Sequence, residues 1–217
     1  MSEGFLLDAL MRLIPLVLSL SVHEWAHAWS ANRLGDDTAE RMGRLTLNPL
    51  AHIDPIGTLL MPVLSPIPFG WARPVPFNSM NFTRKIRMRT GAMIVAAAGP
   101  FSNLVLAVLC VLVEGLCRRF DAGGDGLLVL LGYGLQLNVA LAVFNMLPIR
   151  PLDGSRVVDG LLPDRYHATW DRIAVYGPLI LIGLFVADYA YGLGFLSWPI
   201  AHGVALGRIA MLSIAGF

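Results

Sequence analysis

The sequence contains a His-Glu-x-x-His motif near its N-terminus, formed by His23, Glu24 and His27. Residues four apart share one face of a helix, so both imidazoles can reach a single Zn²⁺ ion. Glu24 then lies beside the metal, where it can act as a general base in hydrolysis. In the alternative interpretation, the histidines are polar residues that pack one helix against another, and Glu24 extends to the surface.

The surroundings of the motif favour the metal site. Residues 13–22, directly before it, are as apolar as a membrane helix. A charged residue at membrane depth costs about 2.5–3.5 kcal/mol on insertion scales, so such residues persist mainly where they have partners and a function. Three ionisable side chains at ligand spacing therefore indicate a metal site within a membrane helix.

The composition is that of an integral membrane protein. Of the 217 residues, 56% are hydrophobic and 14% are charged, whereas soluble domains carry about 25% charged residues. The lipid bilayer is therefore the expected surrounding, and the net charge of +1 gives no indication of a nucleic-acid partner. Cys110 and Cys117 lie about 10 Å apart along a helix by its rise per residue, which is too far for a disulfide. The N-terminus lacks a basic segment, so we expect it to be retained as a membrane segment.

The hydrophobic pattern predicts an all-α polytopic membrane protein with about five to six membrane segments. We expect one membrane-embedded metalloprotease domain over residues 1–217, with a catalytic core over about 5–158 and additional helices over about 173–214. The core contains three predicted long helices, which cover residues 5–31, 91–117 and 126–147.

Two segments between the first two long helices have other signatures. Residues 56–69 are apolar but contain or adjoin four prolines, so we expect a re-entrant or buried segment. The alternation in Gly43–Asn48 predicts a small membrane-associated β element. Prolines exclude a helix from Trp71–Phe77, which we expect to be extended.

A catalytic zinc usually has three protein ligands and one open position. The candidates outside the motif are His52, His167, His202 and the aspartates. Asp153 is the best placed of these, because it lies in a turn bounded by proline and glycine directly after a membrane helix. There the backbone can fold back toward the site. In the alternative, Asp153 only caps the following segment.

Charge placement provides a separate test of this ligand. If residues 56–69 do not cross the membrane, most arginines share one side, and Arg118 and Arg119 lie in the opposite loop. The positive-inside rule makes the crowded side cytoplasmic. His27 and His23 then lie about 6 Å and 12 Å inside the cytoplasmic end of the first helix. Asp153 emerges on the same side, so the three side chains can meet.

Three motifs together resemble the site-2 protease family of intramembrane zinc metalloproteases. They are the His-Glu-x-x-His motif, Gly-Pro-Phe-Ser-Asn at 99–103, and Asn-Met-Leu-Pro-Ile-Arg-Pro-Leu-Asp-Gly at 145–154. The resemblance covers about residues 20–158. Arg150 and Ser155 depart from the commoner proline and glycine of the family but not from its ligand set. PDZ and CBS modules are absent, so the sequence resembles a minimal form.

The resemblance implies the ligand set and the activity. His23, His27 and Asp153 would bind one Zn²⁺ per chain, and Glu24 would be the catalytic base. The expected substrate is a transmembrane protein, cut in or near its membrane segment. The expected location is the bacterial cytoplasmic (inner) membrane with the active site toward the cytoplasm, and a homodimer remains compatible with the sequence.

Substrate-binding residues are less defined. Asn145 is a candidate hydrogen-bond donor to the substrate backbone or to the developing oxyanion, or else a helix-packing residue. The predicted strand edge could hold an unwound substrate by β-augmentation, or could be plain membrane-surface packing. Its residues are Arg44, Leu45, Thr46 and Leu47.

Two other functions are compatible with the same ligands. A membrane zinc transporter or metal sensor would bind the ion without hydrolysis, but transport needs a polar path across the whole membrane. An inactive relative acting as a binding chaperone would not need Glu24, and the intact glutamate argues against it.

Overall fold

The structure is a computed structural model that describes residues 3–60, 71–83, 85–195 and 197–216. The helices of this part are α1 (Glu3–Arg33), α2 (Thr38–Arg41), α3 (Met88–Arg119), α4 (Gly124–Asn145), α5 (Asp153–Leu161), α6 (His167–Ala174), α7 (Gly177–Tyr191) and α8 (Ser197–Ala215). The three predicted long helices are confirmed as α1, α3 and α4, to within three residues at each end. The short helix α5 was not predicted, because it has only nine residues and begins inside the turn expected around Asp153.

The helices α1, α3 and α4 pack against one another, and α8 packs on α3 and α4. Buried apolar side chains from α3, α4 and α8 form the largest core cluster: Ala107, Val111, Leu135, Val139 and Met211. Polar residues join the same helices in the interior. The Asn103 amide donates to Asn138 Oδ1 at 2.8 Å, and the Asn138 amide donates to Ser19 Oγ at 2.9 Å. Such bonds hold α1, α3 and α4 together in an apolar environment.

Within the part of the chain that the structure describes, three helices, α3, α4 and α8, are long and apolar enough to cross a membrane. A fourth crossing results if Asp164–Ala174 and Gly177–Asp188, which meet at 64°, form one span. The chain is thus a helical membrane protein, but the expected five to six segments are not supported. The helix α1 is 31 residues long and carries polar side chains in its second half, namely Ser19, Ser21, His23, Glu24 and His27.

The predicted β element is wrong, since the described residues contain no strand. Gly43 has a positive φ of 67°, which bends the chain where the strand was expected to begin. Further along, the Asn48 amide donates to Thr46 Oγ1 at 3.1 Å, and the Leu50 amide donates to Asn48 Oδ1 at 3.1 Å. Local side-chain bonds of this kind satisfy the backbone without a partner strand. Of the expected re-entrant segment, Pro55–Leu60 is a short helical turn, and residues 61–69 lie outside the described residues.

The segment after residue 71 is irregular and is tied to the first half of the chain at both ends. The Arg73 amide donates to the His52 carbonyl at 2.8 Å. Asp36 is fully buried and accepts hydrogen bonds from the backbone amide of Asn78 at 2.6 Å and from the Asn81 side chain at 2.8 Å. Burial alone raises the pKa of Asp36, but the bonds from Thr38, Asn78 and Asn81 outweigh it and lower the pKa. The carboxylate therefore stays ionised and fixes this segment beside α1.

The turn between α4 and α5 folds tightly back on itself. Gly154, the second residue of α5, packs so closely that a Cβ atom would lie 2.2 Å from the Met146 carbonyl oxygen. Real Cβ atoms do not approach a carbonyl oxygen to that distance, so only glycine permits this turn. The turn places Asp153 beside the end of α4 and directs α5 back over the helix bundle.

Candidate metal centre

The two histidines of the motif lie on the inner face of α1, and Asp153 approaches them from the start of α5. The Nε2 atoms of His23 and His27 are 3.0 Å apart. Asp153 Oδ2 lies 3.2 Å from Nε2 of His23 and 3.4 Å from Nε2 of His27. The structure therefore brings together the three predicted ligand residues, one atom from each, on a site formed by two helices.

These three distances fit a zinc ion. Nitrogen and oxygen ligands lie about 2.0–2.1 Å from zinc, so two ligand atoms of a tetrahedral site are about 3.3 Å apart. The observed separations of 3.0, 3.2 and 3.4 Å are close to that value. Both histidines are buried, and Asp153 is partly buried. The three atoms therefore have the separations that a zinc ion requires, and metal binding itself stays a prediction.

The second nitrogen of each imidazole fixes its orientation. Nδ1 of His27 lies 2.7 Å from the Val95 carbonyl oxygen, which can only accept, so this nitrogen donates. Nδ1 of His23 lies 2.6 Å from Asn103 Oδ1. Because the Asn103 amide group already donates to Asn138, its oxygen faces the imidazole as the acceptor. Both rings thus carry their proton on Nδ1 and leave the Nε2 lone pair for a metal.

Asp153 is the first residue of α5, and the capping position of that helix is Leu152. The Asp153 carboxylate turns to the two histidines instead. This placement favours a ligand role over a capping role, and metal binding by Asp153 stays a prediction.

The close approach of α3 to the histidines depends on Gly99. A Cβ atom at Gly99 would lie 2.4 Å from His27 Nε2 and 2.7 Å from His23 Cε1. The ligand atoms themselves would then have to move. A glycine at this position lets the helix carrying Asn103 and Val95 reach both imidazoles.

Glu24 lies beside the ligands and is held by a backbone amide. The Val75 N–H donates to Glu24 Oε2 at 2.7 Å. The carbonyl of the same peptide unit, that of Pro74, accepts from Arg44 Nη2 at 3.2 Å, and Arg44 also donates to the Arg73 carbonyl. Arg44 therefore fixes the peptide that holds Glu24.

A cavity of about 460 Å³ opens beside these residues. Glu24, both histidines, Asp153 and Asn145 line it, together with the irregular segment around Val75. The Asn145 amide donates to the Leu141 carbonyl at 3.1 Å, one turn back in α4. Asn145 thus faces the cavity from the end of α4, and its role toward substrate stays a prediction.

The structure places the expected strand-edge residues outside the lining of this cavity. Arg44 is buried against the Arg73 and Pro74 carbonyls, and Leu45 packs with the buried Ala28, Ala39 and Val75. Thr46 accepts a hydrogen bond from His52 through its carbonyl oxygen at 2.8 Å, and Leu47 is 55% exposed. Arg44 and Leu45 thus contact the segment around Val75, whose amide holds Glu24.

None of the three other histidine candidates joins the group, and the His52 ring bonds the Thr46 carbonyl instead. His167 lies beside Asp159 and Arg89, and the exposed His202 bonds the Trp198 carbonyl within α8. The structure places Asn103 directly against the His23 ring, a contact that the sequence analysis did not predict. An asparagine four residues after Gly99 lies on the same helix face, and that spacing is the signal that could have identified it.

Comparisons with known proteins agree with this chemistry. No family model and no solved structure matches the chain. YwhC of Bacillus subtilis, named as a candidate zinc metalloprotease, is 37% identical over 206 residues, which cover 93% of this chain and 89% of that protein. Rip2 of Mycolicibacterium smegmatis, named in the same way, is 34% identical over 174 residues, or 78% of this chain and 64% of that protein. Rip2 of Mycobacterium tuberculosis is 29% identical over 185 residues, or 84% of this chain and 70% of that protein.

A helical membrane protein with a buried His-His-Asp group and a glutamate beside it has the side chains of a zinc hydrolase. The chain belongs to the zinc metalloprotease family that includes YwhC. Membership in this family implies zinc as the metal and a proteolytic function. It does not favour the transporter or sensor alternative.

Replacing Gly99 by alanine should displace the ligand imidazoles. Because the new methyl group would lie 2.4 Å from His27 Nε2, we expect purified Gly99→Ala protein to contain less than half of the wild-type zinc by elemental analysis. Gly132→Ala is the matched control, since a Cβ atom there meets nothing within 4 Å. Full zinc content in Gly99→Ala would show that α3 does not approach the imidazoles this closely.

Replacing Asn103 by alanine should weaken zinc binding without removing a ligand. Loss of a residue that orients a metal-binding histidine typically costs about 10- to 100-fold in metal affinity, and we expect a loss in this range. Competition with a chromophoric chelator measures it. Asn145→Ala should retain wild-type affinity, because its amide contacts the Leu141 carbonyl and no ligand residue. Equal affinities for Asn103→Ala and wild type would contradict the orienting role.

Proposed function

We propose that this protein is an intramembrane zinc metalloprotease of the site-2 type, which hydrolyses peptide bonds in or near transmembrane segments of membrane proteins. The observation that carries the proposal is the placement of His23, His27 and Asp153, with Glu24 beside them, at one cavity of a helical membrane protein. A hydrolytic site in such a position suits a substrate that is itself embedded in the bilayer.

The ligand residues and Glu24 have different roles in the proposed reaction. Zinc held by the three ligands, one ion per chain, would supply Lewis-acid activation of a water molecule and of the scissile carbonyl. Glu24 takes the proton of the attacking water and passes it to the leaving amine. Among the described residues, Val75 is the hydrogen-bond donor to Glu24, and it binds Oε2. The second carboxylate oxygen is therefore available to take the proton.

A transmembrane substrate must unwind before it can be cut. Its carbonyl groups are otherwise engaged in i to i−4 hydrogen bonds and are closed to attack. The Asn145 side chain lines the cavity, so its amide can pair with the freed backbone. We therefore expect substrates with Gly, Pro or Asn near the cut to be preferred over uniform leucine helices.

The substitution Glu24→Gln tests the catalytic role of this residue. Glutamine can still accept the Val75 hydrogen bond, so the loop and the ligands should keep their positions. We expect wild-type zinc content and a loss of proteolysis of about 10²- to 10⁴-fold, the usual contribution of a general base. Cleavage of a reporter membrane substrate in detergent measures it. Residual activity above a tenth of wild type would reject the assignment, and Asp153→Ala should lose both zinc and activity.

We also propose that the site faces the cytoplasm across a bacterial inner membrane. The C-terminal end of α1 and the N-terminal end of α3 lie on one side, since the Thr83 amide donates to the Leu34 carbonyl. The basic residues of the chain crowd on that side, and Arg118 and Arg119 end α3 on the other. The positive-inside rule then makes the side with the metal centre cytoplasmic.

Cysteine labelling in inverted and right-side-out vesicles tests this orientation. With Cys110 and Cys117 replaced by serine, single cysteines at the exposed positions Glu40, Met80 and Ala168 should react with an impermeant reagent from the cytoplasmic face. A cysteine at the exposed Ala122 should react from the opposite face. Labelling of position 80 and position 122 from the same face would contradict the arrangement.

A further inference from the structure

Arg156 is a cation in the wall of the catalytic cavity that the proposed reaction does not use. It lies one turn after Asp153 in α5, and it lines the same cavity as Glu24 and the ligand residues. The side chain is exposed to this space. Its guanidinium lies over the face of the Phe77 ring, 4.7 Å from the centroid, and Phe77 stacks in turn on the buried Phe82.

Among the described residues of the cavity wall, no carboxylate is paired with Arg156. The two carboxylates of the cavity have other partners, since Glu24 accepts from Val75 and Asp153 faces His23 and His27. Several arginines elsewhere in the described structure are paired with carboxylates, in Arg41–Asp37, Arg89–Asp159, Arg118–Glu114 and Arg150–Asp171. In the described structure, Arg156 instead contacts the face of an aromatic ring. An arginine in this position retains N–H donors that can form a bidentate pair with a carboxylate.

We propose that Arg156 is a specificity-determining residue that binds a carboxylate of the substrate close to the scissile bond. This inference rests on the proposed proteolytic function. Residues three apart on a helix have Cβ atoms about 5–6 Å apart, so Arg156 and Asp153 share one face of α5. An extended peptide advances about 3.3 Å per residue. The bound carboxylate therefore belongs to a position within about two residues of the cut.

The carboxylate can come from two sources. One is an Asp or Glu side chain in the substrate, and the other is the α-carboxylate of a chain that ends just beyond the cut. Both would form the same pair with the guanidinium, and two matched sets of reporter peptides separate them. The first set carries Asp or Asn next to the cleaved bond and an amidated C-terminus. The second set is neutral throughout and ends two residues beyond the cut in either a free carboxylate or an amide.

Cleavage of both sets is measured with wild type, Arg156→Gln and a matched control, Arg165→Gln. Arg165 also lies 4.7 Å from a ring centroid, that of Tyr166, but it does not line the cavity. We expect wild type to prefer the carboxylate-bearing member of one set by about tenfold or more in kcat/KM, mainly through KM. Arg156→Gln should abolish this preference and leave cleavage of the neutral peptides and the zinc content unchanged. Arg165→Gln should behave as wild type.

If Arg156→Gln loses the preference for the carboxylate-bearing peptide in the first set only, the ligand is an acidic side chain. If it loses the preference in the second set only, the ligand is the α-carboxylate. Equal preference in wild type and Arg156→Gln overturns the proposal. An equal fall for all peptides also overturns it, because Arg156 would then only support Phe77. If wild type cleaves no peptide, the proposed function fails. Peptide binding to zinc-loaded Glu24→Gln, with and without Arg156→Gln, still decides whether Arg156 selects carboxylates.

Discussion

The structure depends on the close contact between α1 and α3 at the two histidines. Gly99 allows α3 to lie against the imidazole rings, and two acceptors of α3, the Asn103 side chain and the Val95 carbonyl, then reach Nδ1 of each ring. One helix contact thus sets the position and the protonation of both ligands. A bulkier residue at Gly99 would separate the helices and remove both acceptors at once.

The polar network behind this contact follows from the apolar surroundings. Buried polar groups are costly unless they are hydrogen-bonded, and a membrane interior offers no water to satisfy them. Asn103 therefore bonds both His23 and Asn138, and Asn138 bonds Ser19 on α1. The chain of bonds closes a loop through α1, α3 and α4, and it restrains the imidazole at the same time.

Glu24, the proposed catalytic base, is held by a different part of the chain. Glu24 is fixed by the amide of Val75, in a segment without regular secondary structure. Arg44 and Asp36 attach that segment to the region following α1. Rigid helices thus position the ligands, while a buttressed loop positions the base and forms one wall of the cavity.

The sequence by itself determined the three long helices and the membrane class, because hydrophobic runs are local signals. It also predicted the His23, His27 and Asp153 group that the structure brings together. It misassigned Gly43–Asn48 as a strand, since a short alternating pattern does not reveal that Thr46 and Asn48 satisfy the backbone locally. Only the tertiary structure decided that Asn103 orients His23, that Val75 holds Glu24 and that Arg156 faces the cavity. These contacts join residues far apart in the chain, and their geometry is set by helix packing and by the tight turn at Gly154, which leave no periodic trace in the sequence.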